Sequence, residues 1–208
     1  MNFKQKTALD IVSSKHLLSS IERNLLYRCV HSDAINEDIR RKTTNRVSGE
    51  ILVVDFYNLT TTVSEALEGY SVYRSTDLFV RDIATSFGRS KKDYRILLNA
   101  FENILECLAG EGLEELILIL DKQVSHSKLL GEKALDVAGR YGFKRRLILS
   151  PKTDLEVSKQ AGYTGGIAVS SDILVLLKSP RVHDLAGKVI TRVKPEAIVE
   201  FWSLVLRE

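Results

Sequence analysis

The chain has 208 residues, 44% of them apolar, with 30 Lys and Arg against 27 Asp and Glu, 12 Gly and 3 Pro. That balance excludes an intrinsically disordered chain, a collagen-like repeat and a coiled coil, and the length suffices for a core that needs no staple. The two cysteines, Cys29 and Cys107, stand far apart and outside any paired motif, which argues against a disulfide framework or a zinc site and for a reducing compartment.

The longest unbroken apolar runs, Leu116 to Leu120 and Ile173 to Leu177, hold five residues each, against the roughly 18 needed to cross a bilayer, so no membrane partner is expected. Met1-Asn2-Phe3-Lys4-Gln5-Lys6 leads into mixed polar residues where a secretory signal would place an apolar core, and a cytoplasmic protein is the expectation. The net charge of +3 is unevenly placed: residues 1–50 hold 9 Lys and Arg with 6 Asp and Glu, and residues 51–208 hold 21 of each sign. The excess suits an acidic partner such as nucleic acid, although a solvated basic helix face is the simpler account.

In chain order, Leu17, Leu18, Ile21, Leu25 and Leu26 recur at helical spacing, and a second, basic helix is predicted from an N-cap at Asp33 through Ile35, Ile39 and Arg40-Arg41-Lys42. Gly49 ends this pattern, which divides the chain into a basic helical segment, residues 1–48, and a second region, residues 49–208. There the texture becomes short apolar runs, each ending in a polar residue and followed by a helical stretch. Ile51 to Val54 ends at Asp55, Leu116 to Leu120 at Asp121, Leu147 to Leu149 at Ser150-Pro151, and Ile167 to Val169 at Ser170-Ser171-Asp172. Unbroken apolar runs of this length suit strands buried on both faces. Leu97, Phe101, Ile104, Leu105 and Leu108 form a helical stripe, and Pro195 is placed to open a last helix carrying Ile198, Val199, Trp202 and Val205. Val80-Arg81-Asp82 reads as a connecting segment. The predicted class is α/β, a doubly wound, mostly parallel sheet in three layers with an α-helical N-terminal segment, and no internal repeat.

In an open α/β sheet, ligands gather beyond the carboxyl ends of the strands. Asp55, Asp121 and Asp172 end apolar runs or follow them closely, Asp154 lies just past the third, and Asp82 is a fifth candidate. Any one of them could simply cap a helix. Together they repel one another unless a cation neutralises them, which points to a hard divalent ion, Mg²⁺ or Mn²⁺, with oxygen ligands and phosphodiester chemistry. No G-x-G-x-x-G follows a strand, and neither G-x-x-x-x-G-K-[ST] nor G-x-S-x-G occurs, so dinucleotide, P-loop and hydrolase-elbow chemistry lack support. Gly165-Gly166 reads as a turn, and His126 as a helix-start residue that could also face the crevice.

Val53-Val54-Asp55-Phe56-Tyr57-Asn58-Leu59 resembles the first strand of PIN-like nucleases, in which an Asp ends the strand and an Asn follows three residues later. Thr153-Asp154-Leu155 and Ser170-Ser171-Asp172 resemble the late acidic pair of that superfamily, and Leu120-Asp121 is similar to the strand-end acid of its NYN and flap-nuclease branches. A closer likeness is to an uncharacterised, largely archaeal family that joins a short helical N-terminal domain to a PIN-like domain. It rests on Asn24 to Val30, Asp55 to Leu59, Val80-Arg81-Asp82, Leu120 to Ser127 and Ser170-Ser171-Asp172. Phe56 stands where a small residue is common in the superfamily. Glu65, Glu68 and Asp82 are rivals for a second acid, with Asp82 favoured by its Arg81-Asp82 setting.

The resemblance implies a metal-dependent ribonuclease or structure-selective nuclease. Asp55, Asp121 and Asp172 would bind Mg²⁺ or Mn²⁺, Asp154 and Asp82 would act directly or through water, and Asn58 and Ser170 would orient ligands. Arg28, Arg40, Arg41 and Lys42 would hold a nucleic-acid backbone, RNA in preference to DNA, and a homodimer is compatible with this reading. Two alternatives stand beside it: a non-catalytic nucleic-acid-binding or adaptor module on the same fold, and a small-molecule phosphohydrolase using the same acidic crevice.

Overall fold

The structure, a computed structural model, describes residues 5–88 and 92–201. Helices α1 (Gln5–His16) and α2 (Ser20–Cys29) are separated at Leu17, whose φ is 52°. The helical spacing expected to include Leu17 and Leu18 therefore takes hold only at Ser20, where Ser19 and Glu22 close a reciprocal capping box. Helix α3 (Asp33–Lys42) is capped at Ser32, so Asp33 is not the N-cap; it sits in the first turn, where its charge complements the helix dipole.

The chain then alternates between strands and helices. In order these are β1 (Ile51–Asp55), α4 (Phe56–Leu67), β2 (Val72–Arg74), β3 (Val80–Arg81), α5 (Tyr94–Leu108), β4 (Glu115–Asp121), α6 (Ser127–Ala138), β5 (Lys144–Ser150), α7 (Thr153–Thr164), β6 (Ile167–Val169), α8 (Ile173–Lys178), α9 (Leu185–Val193) and β7 (Ile198–Glu200). Four strands form one parallel sheet in the order β5-β4-β1-β6. All four apolar runs read from the sequence are its strands.

Side-chain alternation along these strands divides the interior in two. Leu52, Val54, Leu116, Leu118 and Leu120 enter one core with residues of α4, α5, α6 and α9, among them Phe56, Val63, Phe101 and Ile190. Val53, Ile117, Ile119 and Ala168 enter the other with Val157 and Ala161 of α7, Val175 and Leu176 of α8, and Ile39 of α3. Each such large side chain, fully withdrawn from water, contributes about 1.5–3 kcal/mol. The result is a three-layer α/β fold in which α3 is part of one outer layer. Cys29 and Cys107 are buried free thiols, and no helix among the described residues is long and apolar enough to cross a membrane.

Two expectations fail. Val80–Arg81 is not a mere connection but strand β3, and it pairs antiparallel with β2 in a small second sheet of order β3-β2-β7. Pro195 opens only one 3₁₀ turn, Pro195–Ala197, after which Ile198 and Val199 pair with Val72 and Tyr73. The open edge of β2 supplies backbone partners there, and strand pairing overrides the apolar spacing; Trp202 and Val205 lie outside the described residues. Beyond β6 the main sheet is continued by isolated bridges, Ala168 with Val182 and Val182 with Thr43.

Candidate active site

The turn from β1 into α4 is built around Asp55, which ends the strand and caps the helix: its Oδ1 accepts from the Asn58 N–H at 3.3 Å. Strand β6 runs beside β1 with Val54 opposite Val169. Ser170, the next residue, therefore reaches across, and its hydroxyl donates to Asp55 Oδ2 at 3.2 Å. Asn58 Oδ1 accepts from the Ser171 N–H at 2.7 Å and from the Ser171 hydroxyl at 3.0 Å. The Asp172 N–H donates to Ser170 Oγ at 3.1 Å, and Asp172 Oδ1 caps α8 by accepting from the Leu174 N–H at 2.8 Å. Asp121 ends β4 and accepts from the Gln123 N–H at 2.8 Å, while Asp154 lies in the first turn of α7 after β5. The four aspartates thus come from the carboxyl ends of all four strands of the main sheet.

Their charges act on one another. Burial pushes the Asp55 carboxyl up to about 7; the charges of Asp154 and Asp172 push the same way, against the hydrogen bonds from Asn58 and Ser170. Asp154 is also raised, by burial first and then by Asp172 and Asp121, with Lys178 opposing. Burial likewise raises the Tyr57 phenol, against its hydrogen bond with Ser127, and Asp121 adds to the rise. As the side chains stand, no three His, Cys, Asp or Glu among the described residues are placed to enclose an ion. The donor chemistry nonetheless fits Mg²⁺ or Mn²⁺: every group is a hard oxygen, and such ions keep several waters and take only one or two carboxylates directly.

Two family models match the chain in succession, a protein of unknown function (DUF434) over residues 1–42 and a domain of unknown function (DUF5616) over residues 44–188. The second spans more than half of the chain. This protein belongs to the DUF5616 family. Comparison with curated proteins and with solved structures gives no match. Asp55, Asp121, Asp154 and Asp172, with Asn58 and Ser170, all fall within the DUF5616 stretch, and Arg28, Arg40, Arg41 and Lys42 within the DUF434 stretch.

The remaining candidates are engaged elsewhere. Asp82 accepts from the Thr62 hydroxyl at 2.8 Å and the Ala84 N–H at 2.9 Å, and lies 4.0 Å from Arg28. Thr62 is two turns along α4 from Asp55, about 10 Å of helix. Glu65 and Glu68 both pair with Lys92, Glu65 at 2.6 Å. Arg40 donates to the Thr76 carbonyl at 2.9 Å, Arg41 pairs with Asp38 at 3.1 Å, and Lys42 bonds Asp38 at 2.6 Å and the Leu177 carbonyl at 2.9 Å. Phe56 does not crowd the carboxylates, because its ring is buried in the core, 5.3 Å from that of Phe101. His126 takes the N-cap position of α6 with a φ of 61°.

The sequence pattern alone gives no role to Ser171, Arg81 or Tyr57. Ser171 clamps Asn58, Arg81 holds the Ser171 carbonyl at 2.8 Å, and Tyr57 is within reach of the charge of Asp121. The usable signals were the doubled serine before Asp172 and the position of Tyr57 two residues past Asp55.

Proposed function

We propose that the DUF5616 crevice is the active site of a PIN-like, Mg²⁺- or Mn²⁺-dependent nuclease that cleaves RNA in preference to DNA. The observation that carries this reading is the gathering of four aspartates at one sheet edge, with Asp55 held near pH 7 by burial and by two of the others. Uncompensated, that arrangement repels itself, and a divalent cation is the hard, oxygen-seeking group that relieves it.

Asp55, Asp121 and Asp172 would hold the cation, one or two of them directly and the rest through its waters, with Asp154 joining directly or through water. When bound, such an ion activates water for attack on phosphorus and offsets charge on the leaving oxygen. Asp154, half-buried and with its carboxyl raised, is suited to take up the proton that the attacking water gives up. Asn58 and Ser170, tied to Ser171 and Asp55, fix the two turns against each other so that the acids keep their spacing. Arg41, whose side chain is 72% exposed, is placed to meet a nucleic-acid backbone.

The purified protein is incubated with single-stranded and structured RNA and Mn²⁺. Cleavage is expected, and it is expected to be lost in Asp55→Asn and in Asp172→Asn. Cleavage that survives both substitutions overturns the assignment.

A further inference from the structure

Beside the acidic edge lies a hollow of about 350 Å³, at the small end of the range that ligand sites occupy. It is lined by Tyr57, Tyr94, Leu97, His126, Leu130 and Lys133, with Lys92 also on its wall. Tyr57 is the second residue after Asp55, and His126 belongs to the turn that follows Asp121, so the hollow shares two of its walls with the site of the proposed nuclease. The Tyr57 hydroxyl is buried next to the Ser127 hydroxyl.

The charges here are not equivalent. Lys92 is committed to Glu65 and Glu68. Lys133, half-buried on α6, has no ion-pair partner among the described residues; its ammonium lies 4.9 Å from the centroid of the Tyr94 ring. Arg95 stands 5.9 Å from the same centroid. Tyr94 is the first residue of α5, next to the Asp93 cap, and the residue is 43% exposed. An exposed aromatic ring on a rigid helix end, flanked by cations and backed by Leu97 and Leu130, is the combination that receives a base and its phosphate.

We infer that this hollow is a subsite for one nucleotide of a single strand, with the base stacked on Tyr94, the flanking phosphate paired with Lys133, and the next phosphodiester over the four aspartates. The inference rests on the nuclease reading for its direction and adds what that reading lacks. A polyanion drawn across four carboxylates is repelled there, and a cation one nucleotide away holds the strand in place. Tyr57, between the hollow and Asp121, then marks the boundary between the held nucleotide and the reacting one.

The test is fluorescence anisotropy with a labelled octauridylate in EDTA, which separates binding from cleavage. Tyr94→Ala is expected to raise Kd about 5- to 100-fold and Tyr94→Phe to leave it within about twofold. Lys133→Gln is expected to weaken binding and to flatten the slope of log K against log salt by about 0.7. Absence of saturable binding by the unaltered protein, or Tyr94→Ala and Lys133→Gln proteins that bind like it, overturns the subsite. Binding that depends on Tyr94 in a protein that cleaves nothing with Mn²⁺ supports the subsite and removes the nuclease. Cleavage with Tyr94-independent binding removes the subsite alone.

Discussion

Arg81 Nε donates to the carbonyl oxygen of Ser171 at 2.8 Å, joining β3 to the turn that carries Ser170 and Asp172. The rest of the guanidinium grips Asp77, with Nη1 2.7 Å from Oδ1 and Nη2 2.5 Å from Oδ2, and both side chains are almost wholly buried. Burial alone would raise the Asp77 carboxyl; the hydrogen bonds and charge of Arg81 outweigh it and hold the carboxyl below its ordinary value. Replacing Arg81 by Met leaves a buried carboxylate without its partner and frees the Ser171 carbonyl. A loss of about 3–5 kcal/mol in urea unfolding is expected; a loss below about 1 kcal/mol would mean that the pair is not acting as a buried unit.

Asp55 makes stability depend on pH in a stated direction. Its carboxyl titrates near 3.9 in an unfolded chain and at about 7 in the folded one. The folded state therefore holds the extra proton between about pH 4 and pH 7, and stability falls as pH rises through that window. Asp184, pushed up to about 6 chiefly by burial, adds to the fall over the lower part of it. In Asp55→Asn the amide still accepts from the Asn58 N–H, and the Ser170 hydroxyl can turn to accept from it. Without divalent ions the variant is expected to be more stable than the unaltered protein at pH 8, by up to about 4 kcal/mol, and to match it near pH 4. Melting curves that run parallel from pH 4 to pH 8 would contradict this.

Two glycines near the end of α7 should respond with opposite signs. Gly162 lies inside the helix, and an added Cβ there meets nothing within 4 Å; Gly162→Ala is expected to stabilise by about 0.5–1 kcal/mol. At Gly166 the same Cβ would stand 2.7 Å from the Ile51 carbonyl oxygen and 3.2 Å from Ile51 Cβ. That oxygen belongs to β1 and cannot yield without disturbing its pairing with β6, so Gly166→Ala is expected to destabilise by about 1–3 kcal/mol. Paired thermal melts of the two variants measure both.

Much of the main sheet was legible because its strands are buried on both faces and so appear as unbroken apolar runs, and because a strand-end Asp doubles as a helix cap. Asp55 is both at once, and Asp172 caps α8 three residues past the end of β6. The second sheet was not legible: β2, β3 and β7 are three, two and three residues long, and β2 finds β7 across more than a hundred residues of chain. A pairing of that kind leaves no local period. The same holds for Arg81, whose partners Asp77 and Ser171 are apparent only once the hairpin is folded against the β6 turn. The part that α3 takes in the core was hard to read because charge and burial are mixed within it: Ile39 is fully buried and Arg41 is exposed.

The Val182 N–H donates to the Lys42 carbonyl at 3.0 Å and the Thr44 N–H to the Val182 carbonyl at 2.9 Å, so the residues on either side of the junction between the DUF434 and DUF5616 stretches pair with Val182, which in turn bridges to Ala168 of β6. A chain beginning at residue 44 would lose the Lys42 partner of Val182 and uncover the seat of Ile39, leaving unpaired backbone beside an apolar patch, a template for edge-to-edge association. The two stretches are consequently poor candidates for independent shuffling. A DUF5616 sequence joined to a foreign leader would need that leader to bring its own edge strand and its own plug for the gap, so inheritance as a single piece is the structurally economical outcome.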